Sequence, residues 1–303
     1  MRQLGRYRLD RTLGAGAFAT VWLGYDPELD ATVAVKVLAD NWALDADVRR
    51  RFLEEARLLR RISDPRVVRV HDVGVADERP YFVMDYIEGG TLADLVGTLT
   101  PAEAVRLATE TAYGVEVLHR AGVVHRDVKP SNLLLDRHRH PVAVLVADLG
   151  SAKLLAGASG LTVTTGTPAY MAPEQADQLT SFDSRADVYA VAAVTYELLS
   201  GRKPFDDASP ASVARRAGGV RPAPIAAELG VPTAIDDLLA RSLDRDPERR
   251  PPSAAAFADA LTAVVGGGRA SLPRLRREWS SRAVAVTAAV LFVVAALVSW
   301  LLR

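Results

Sequence analysis

Two short apolar runs carry the side chains best suited to chemistry. Residues 123–135 read VVHRDVKPSNLLL and residues 144–150 read VLVADLG, which leaves Asp127, Asn132 and Asp148 on loops beside short strands. Two carboxylates and an amide oxygen at strand ends suit a hard cation, and Mg²⁺ that travels with a triphosphate takes few ligands from the protein itself. Taken singly, either run is also an ordinary turn. A third feature is Lys36, set inside the apolar run VAVKVL at 33–38. An ammonium buried there is costly unless a carboxylate or a phosphate meets it. The following segment offers one: a helix predicted over 47–62 brings Val48, Phe52, Glu55, Leu59 and Ile62 onto one stripe and turns Glu54 away. The spacing predicts a Lys36–Glu55 ion pair, the alternative being that Glu55 is a partly exposed edge residue.

Gly14-Ala15-Gly16-Ala17-Phe18-Ala19 separates strands predicted at 7–13 and 21–25, with a third strand at 32–38. The two glycines fit a tight hairpin that needs them for its own backbone, and equally a flap whose amides cover phosphates. A dinucleotide fingerprint requires a helix after the glycines, whereas Val21-Trp22-Leu23 continues as strand, and no Gly-Lys dipeptide exists to form a Walker A loop.

These residues belong to a chain of 303, with 37 Lys+Arg against 37 Asp+Glu and 49% hydrophobic residues. That length supports a sizeable core, and the even charge balance gives no concentrated positive field to attract nucleic acid, so no nucleic-acid partner is expected. The absence of Cys removes disulfides, thiolate nucleophiles and Cys-ligated zinc. No secretion signal is visible in the first ten residues. Residues 283–302, AVAVTAAVLFVVAALVSWLL, are uncharged, with Thr287 and Ser299 as the polar members. As a helix they would span about 30 Å, the thickness of a bilayer's hydrocarbon core, so one transmembrane helix is predicted. Arg269, Arg274, Arg276, Arg277 and Arg282 precede it and hold that side in the cytoplasm. Only Arg303 follows, so no outer domain is expected. With Gly266, Gly267 and Gly268 as a helix-breaking boundary, the expected domains are 1–265 for the chemistry, 266–282 as a basic juxtamembrane linker and 283–302 as the span.

The order of the motifs resembles a known family. Gly14-x-Gly16 with Val21, then Val33-Ala34-Val35-Lys36, Glu55, His125-Arg126-Asp127 with Lys129 and Asn132, Asp148-Leu149-Gly150 and Ala172-Pro173-Glu174 resemble the eukaryotic-type (Hanks-type) protein kinases over about residues 7–262. The subgroup it is most similar to is the bacterial membrane-anchored Ser/Thr kinases, and Lys129 with Gly166-Thr167-Pro168-Ala169-Tyr170 resembles their serine/threonine branch.

The resemblance implies an α+β, bilobal protein-kinase-like fold: a small β-rich N-lobe over about 1–87, a helical C-lobe over about 88–265, and the C-terminal transmembrane helix besides. It implies ATP with Mg²⁺, and admits Mn²⁺. Leu13, Gly14, Gly16, Val21, Ala34, Lys36, Met84 as gatekeeper, the backbones of Asp85 and Ile87, Asn132 and Asp148 would form the nucleotide site. Lys36 would hold phosphates and pair with Glu55, Asp127 would accept the substrate hydroxyl proton, Lys129 would neutralise the γ-phosphate, and Asn132 and Asp148 would ligate the metal. Asp187 resembles the buried acid that steadies the catalytic loop, and Glu174 would pair with Arg250. The implied activity is γ-phosphoryl transfer to protein serine or threonine hydroxyls at the plasma membrane, with the kinase domain cytoplasmic and membrane lipid around the span; the alternative is a pseudokinase scaffold. A homodimer is compatible with the resemblance. Ala19, Leu149 and Ala192 depart from the family pattern, yet none removes a charge or a ligand.

Arg126 directly precedes Asp127, and an unpaired guanidinium there would receive a phosphate on Thr162, Thr164 or Thr165. Thr167 is expected to be structural, against Asp127 and Lys129. His138 and His140 flank Arg139 in a turn and are expected to face solvent, as are Arg49, Arg50 and Arg51 on a helix that also carries Glu54.

Overall fold

The computed structural model describes residues 2–149, 168–176, 182–206, 209–215 and 220–266. The predicted span at 283–302 lies outside them, as do Gly150, Thr162, Thr164, Thr165 and Thr167. Among the described residues, no helix is long and apolar enough to cross a membrane. Met1–Gly266 form one compact unit and Gly267–Arg303 another.

Six antiparallel strands open the chain: β1 Arg2–Leu4, β2 Tyr7–Ala15, β3 Ala19–Asp26, β4 Ala31–Leu38, β5 Val70–Ala76 and β6 Arg79–Asp85, laid out in the order β1-β2-β3-β4-β6-β5. Strand alternation sorts β4 between two cores. Val33, Val35 and Val37 face a small cluster with Tyr7, Tyr81 and Val83, while Ala34 and Leu38 join the main core that continues into the second lobe. Lys36 therefore points to the main-core side by parity. Between β4 and β5 run α1, Asp40–Ala43, and α2, Ala46–Arg60, whose first turn is capped by the Asp45 carboxylate accepting from the Asp47 and Val48 amides. The stripe expected on this helix is buried as a unit, with Phe52 against Phe82 at 5.2 Å between ring centroids.

The second lobe is built around α3, Pro101–Arg120, and α5, Arg185–Ser200. A capping box between Thr100 and Glu103 starts the former, and the latter is buried on all sides through Leu199, as the central helix of a lobe must be. Around them lie α4 Pro173–Ala176, α6 Pro210–Arg215, α7 Ala226–Leu229, α8 Ala234–Ser242 and α9 Ala254–Gly266, with a β7–β8 hairpin of Leu133–Asp136 and Ala143–Val146. The strands next to Asp127 are shorter than expected: residues 123–128 are irregular, because the His125 and Arg126 amides serve a side chain instead of a ladder partner.

Among the described residues, the main chain joins the lobes at two places. One is the hinge after β6. The other is a main-chain stitch, in which the Val146 amide donates to the Arg66 carbonyl at 2.8 Å and the Val68 amide to the Val146 carbonyl at 3.0 Å. Gly89 seats the hinge against β7, since a Cβ there would fall 1.7 Å from the Leu135 carbonyl oxygen. Gly89→Ala must push backbone aside, so a thermal melt should show destabilisation of about 1–3 kcal/mol, the usual cost of overpacking. An unchanged melting temperature would mean the hinge does not rest on β7.

Candidate active site

Sheet register brings the first group of predicted residues into line. Gly14 lies opposite Val21, Val21 opposite Lys36 and Lys36 opposite Phe82, while Ala34 lies opposite Met84. Leu13 is at the exposed end of β2, beside the register shift between Thr12 and Gly14. Neither Gly14 nor Gly16 adopts the left-handed conformation, and an added Cβ would meet nothing at Gly14 and only the Ala19 carbonyl at 3.6 Å at Gly16. The hairpin itself does not require them. Their bareness leaves room for a group to approach the backbone from outside.

Lys36 is 8% exposed. Its ammonium meets Asp148 Oδ1 at 2.9 Å, across 112 positions of sequence. The contact expected from the sequence was Glu55, which is indeed buried on the core side of α2 at 8% exposure. Glu55 acts on Lys36 through its charge, with Asp148 the stronger influence. Burial alone would lower the Lys36 pKa, but the surrounding carboxylates of Asp148, Glu55 and Asp127 more than offset it and hold the group above its ordinary value. Lys36 in turn is the main reason the Asp148 carboxyl lies below the usual carboxylate range. Asp148 has a φ of 52°, a left-handed conformation that a non-glycine residue keeps only where its surroundings impose it.

The loop before β7 gathers the remaining groups. Lys129 Nζ is 2.8 Å from Asp127 Oδ2. The Asn132 amide nitrogen donates to the Asp127 carbonyl at 2.9 Å and to its Oδ2 at 3.2 Å, which turns the amide oxygen the other way. Asp187, 1% exposed, organises this loop from α5: it accepts from the His125 amide at 2.7 Å, from the Arg126 amide at 2.8 Å and from His119 Nε2 at 2.8 Å. Behind it Glu174 and Arg250 form a two-pronged ion pair at 2.6 and 2.8 Å, as expected, with Arg250 over the Tyr189 ring. Arg126 differs from expectation. Its guanidinium lies over the Phe182 ring at 5.2 Å and does not stand unpaired beside Asp127.

The hinge amide of Asp85 donates to the Arg69 carbonyl at 3.0 Å and is thereby used within the protein. Met84 and Leu149 line one small apolar cavity with Lys36 and Asp148, which places the leucine in the interlobe core. Sequence reasoning missed His119 and Gln175, the latter donating to the Arg126 carbonyl at 3.0 Å. A histidine in the last turn of α3 is the signal that could have found the first.

The donor set fits a nucleotide with its cation. Among the described residues no group of three or more His, Cys, Asp or Glu could hold a metal alone. One carboxylate and one amide oxygen beside a phosphate-seeking ammonium instead match a Mg²⁺ that completes its shell with phosphate oxygens.

A sheet-rich lobe and a helical lobe clasping such a set define a kinase domain, and the chain belongs to the protein kinase family, among the Hanks-type serine/threonine kinases of bacteria; the protein kinase domain matches residues 7–261. It is 39% identical over 272 residues to serine/threonine-protein kinase PknJ of Mycobacterium tuberculosis, covering 86% of this chain and 46% of PknJ. With PknB of the same organism the identity is 36% over 283 residues, covering 89% and 44%. The crystal structure of the M. tuberculosis PknI kinase domain superimposes with a TM-score of 0.68 at 30% identity, covering 88% of this chain and 98% of that one. The chain thus spans less than half the length of these curated relatives.

His125 makes the loop sensitive to acid. Its Nδ1 accepts the Asp127 amide at 3.3 Å, so the proton resides on Nε2 and is donated to the Ala147 carbonyl at 3.0 Å. Burial holds its pKa below the ordinary value, and the folded ring is neutral. An unfolded histidine takes up a proton below about pH 6.5, so there the unfolded state binds more protons and stability falls as pH drops. Urea midpoints of the wild type should therefore decline from pH 7 to pH 5, with a smaller decline for His125→Gln. Equal declines would assign the acid sensitivity elsewhere.

Proposed function

We propose that this chain transfers the γ-phosphoryl group of ATP to serine and threonine hydroxyls of proteins. The observation that carries the reading is the 2.9 Å contact between Lys36 and Asp148, a cation and an anion placed side by side at the mouth of the glycine flap. A phosphate oxygen and its metal present the reverse pair of charges, so one nucleotide complex satisfies both groups. Lys36 orients the α- and β-phosphates. Asp148 and the Asn132 amide oxygen would hold Mg²⁺, or Mn²⁺, which neutralises charge on the transferred group when bound. Asp127 receives the proton of the substrate hydroxyl, its carboxylate aimed by Asn132 and Lys129. Lys129 also neutralises charge on the γ-phosphoryl. The hinge carbonyl of Asp85 and the backbone of Ile87 serve the base, with Leu13, Val21 and Ala34 above it. Since the protein does little covalent work in such a transfer, positioning and charge are the whole of its task.

The departures Ala19 and Leu149 leave every charged position intact, and nothing favours a silent scaffold. The reading extends to the rest of the chain: residues 283–302 anchor the protein in the plasma membrane with 1–265 in the cytoplasm, 266–282 being the basic connection, and phosphorylation at Thr162, Thr164 or Thr165 activates it. Support for the anchor is the uncharged run itself and the arginines before it.

Incorporation of labelled γ-phosphate into a generic basic protein tests the activity. Lys36→Met and Asp127→Asn should each lower it by about 10²-fold or more, the usual share of a charge clamp or a general base. Equal labelling by all three proteins would retire the proposal.

A further inference from the structure

The flap ends in a contact that none of the roles above uses. Phe18, at its tip, is 4% exposed, and its ring stacks on Trp42 with centroids 4.9 Å apart and planes 24° from parallel. The indole Nε1–H of Trp42 donates to the Ala17 carbonyl at 3.1 Å. The main chain adds a third tie: the Ala39 amide donates to the Phe18 carbonyl at 2.8 Å, and the Trp42 amide to the Ala39 carbonyl at 2.9 Å. The element carrying Trp42 is itself fixed at both ends. Asp40 pairs with Arg79 at 2.9 Å, and Arg49 Nη1 donates to the Ala43 carbonyl at 3.2 Å. A glycine-rich turn with no such ties would sample many heights over the site; this one is fastened to α1.

We propose that Trp42 is a positioning residue that latches the flap, holding residues 14–17 at one height over a bound triphosphate and so setting how long nucleotide stays. The inference rests on the phosphotransfer reading and deepens it. Trp42 acts through Ala17 and Phe18 and touches none of the reacting groups. Its effect is on preorganisation: a loose flap must be ordered at every binding event, and that cost appears as weaker, shorter-lived binding. A hydrogen bond and an aromatic pair of usual strength together correspond to about ten- to thirtyfold in an equilibrium constant.

The test measures release of a fluorescent ADP analogue from the full chain in detergent with Mg²⁺, alongside KM for ATP and kcat. Trp42→Ala should release the analogue about ten- to thirtyfold faster and raise KM for ATP by a similar factor, with kcat at saturating ATP within about twofold. Trp42→Phe keeps the stack and loses the donor, so it should fall between, and its milder change guards against a variant that merely unfolds. Release at the wild-type rate by both variants, or a fall in kcat with KM unchanged, overturns the latch. A wild type that releases and hydrolyses nothing because it binds no nucleotide overturns the phosphotransfer reading itself, which separates the two failures.

Discussion

A lysine ammonium in the middle of an apolar strand is the constraint from which the rest of the structure follows. Lys36 cannot remain charged there without an anion, and its 2.9 Å partner, Asp148, belongs to the other lobe. The nearest anion to this buried charge thus comes from the other lobe, while Glu55 adds its charge from the same one. The stitch between residues 66–68 and β8 holds the approach, and Leu149 joins the interlobe core beside it. The left-handed backbone of Asp148 is the local cost of aiming its carboxylate across the gap. A buried ion pair that merely stabilised a protein could be replaced by apolar side chains at little loss, whereas a pair with a flap above it and a carboxylate–amide loop beneath it has a use as a pair.

A second buried anion performs the same service for the loop. Asp187 takes two consecutive main-chain amides and one imidazole, so the turn from His125 to Asp127 has little freedom left. His125 passes that order on through a ring nitrogen at each side, one toward Asp127 and one toward Ala147 next to Asp148. Asp127, Asn132 and Asp148 are thereby coupled through short polar links and not through contact with one another alone. The Glu174–Arg250 pair, with the guanidinium side chain 0% exposed, fixes the segment after the loop in the same manner.

Much of this was legible in the residues. The strands and glycine turn of the first lobe and the helix that buries Glu55 follow from periodicity, because those signals are local, and the family resemblance is what groups Lys129 with Asp127 and Asn132. The partner of Lys36 did not. Helical phase showed which face of α2 Glu55 occupies, but a face is not a distance, and which of two carboxylates lies nearer is decided by how the lobes approach. Arg126 was misjudged for a similar reason: Phe182 lies 56 positions away, and no pattern marks a cation that will rest on a distant ring. Trp42 gave no sign at all, since a tryptophan in a four-residue helix has no period to read.

The most direct test of the account is a crystal structure of the chain with Mg²⁺ and a non-hydrolysable ATP analogue. The triphosphate should lie beneath the glycine flap, with Lys36 on phosphate oxygens and the metal held by Asp148 and Asn132. A nucleotide bound elsewhere, or a Lys36–Asp148 contact left undisturbed with saturating analogue in the crystal, would contradict it.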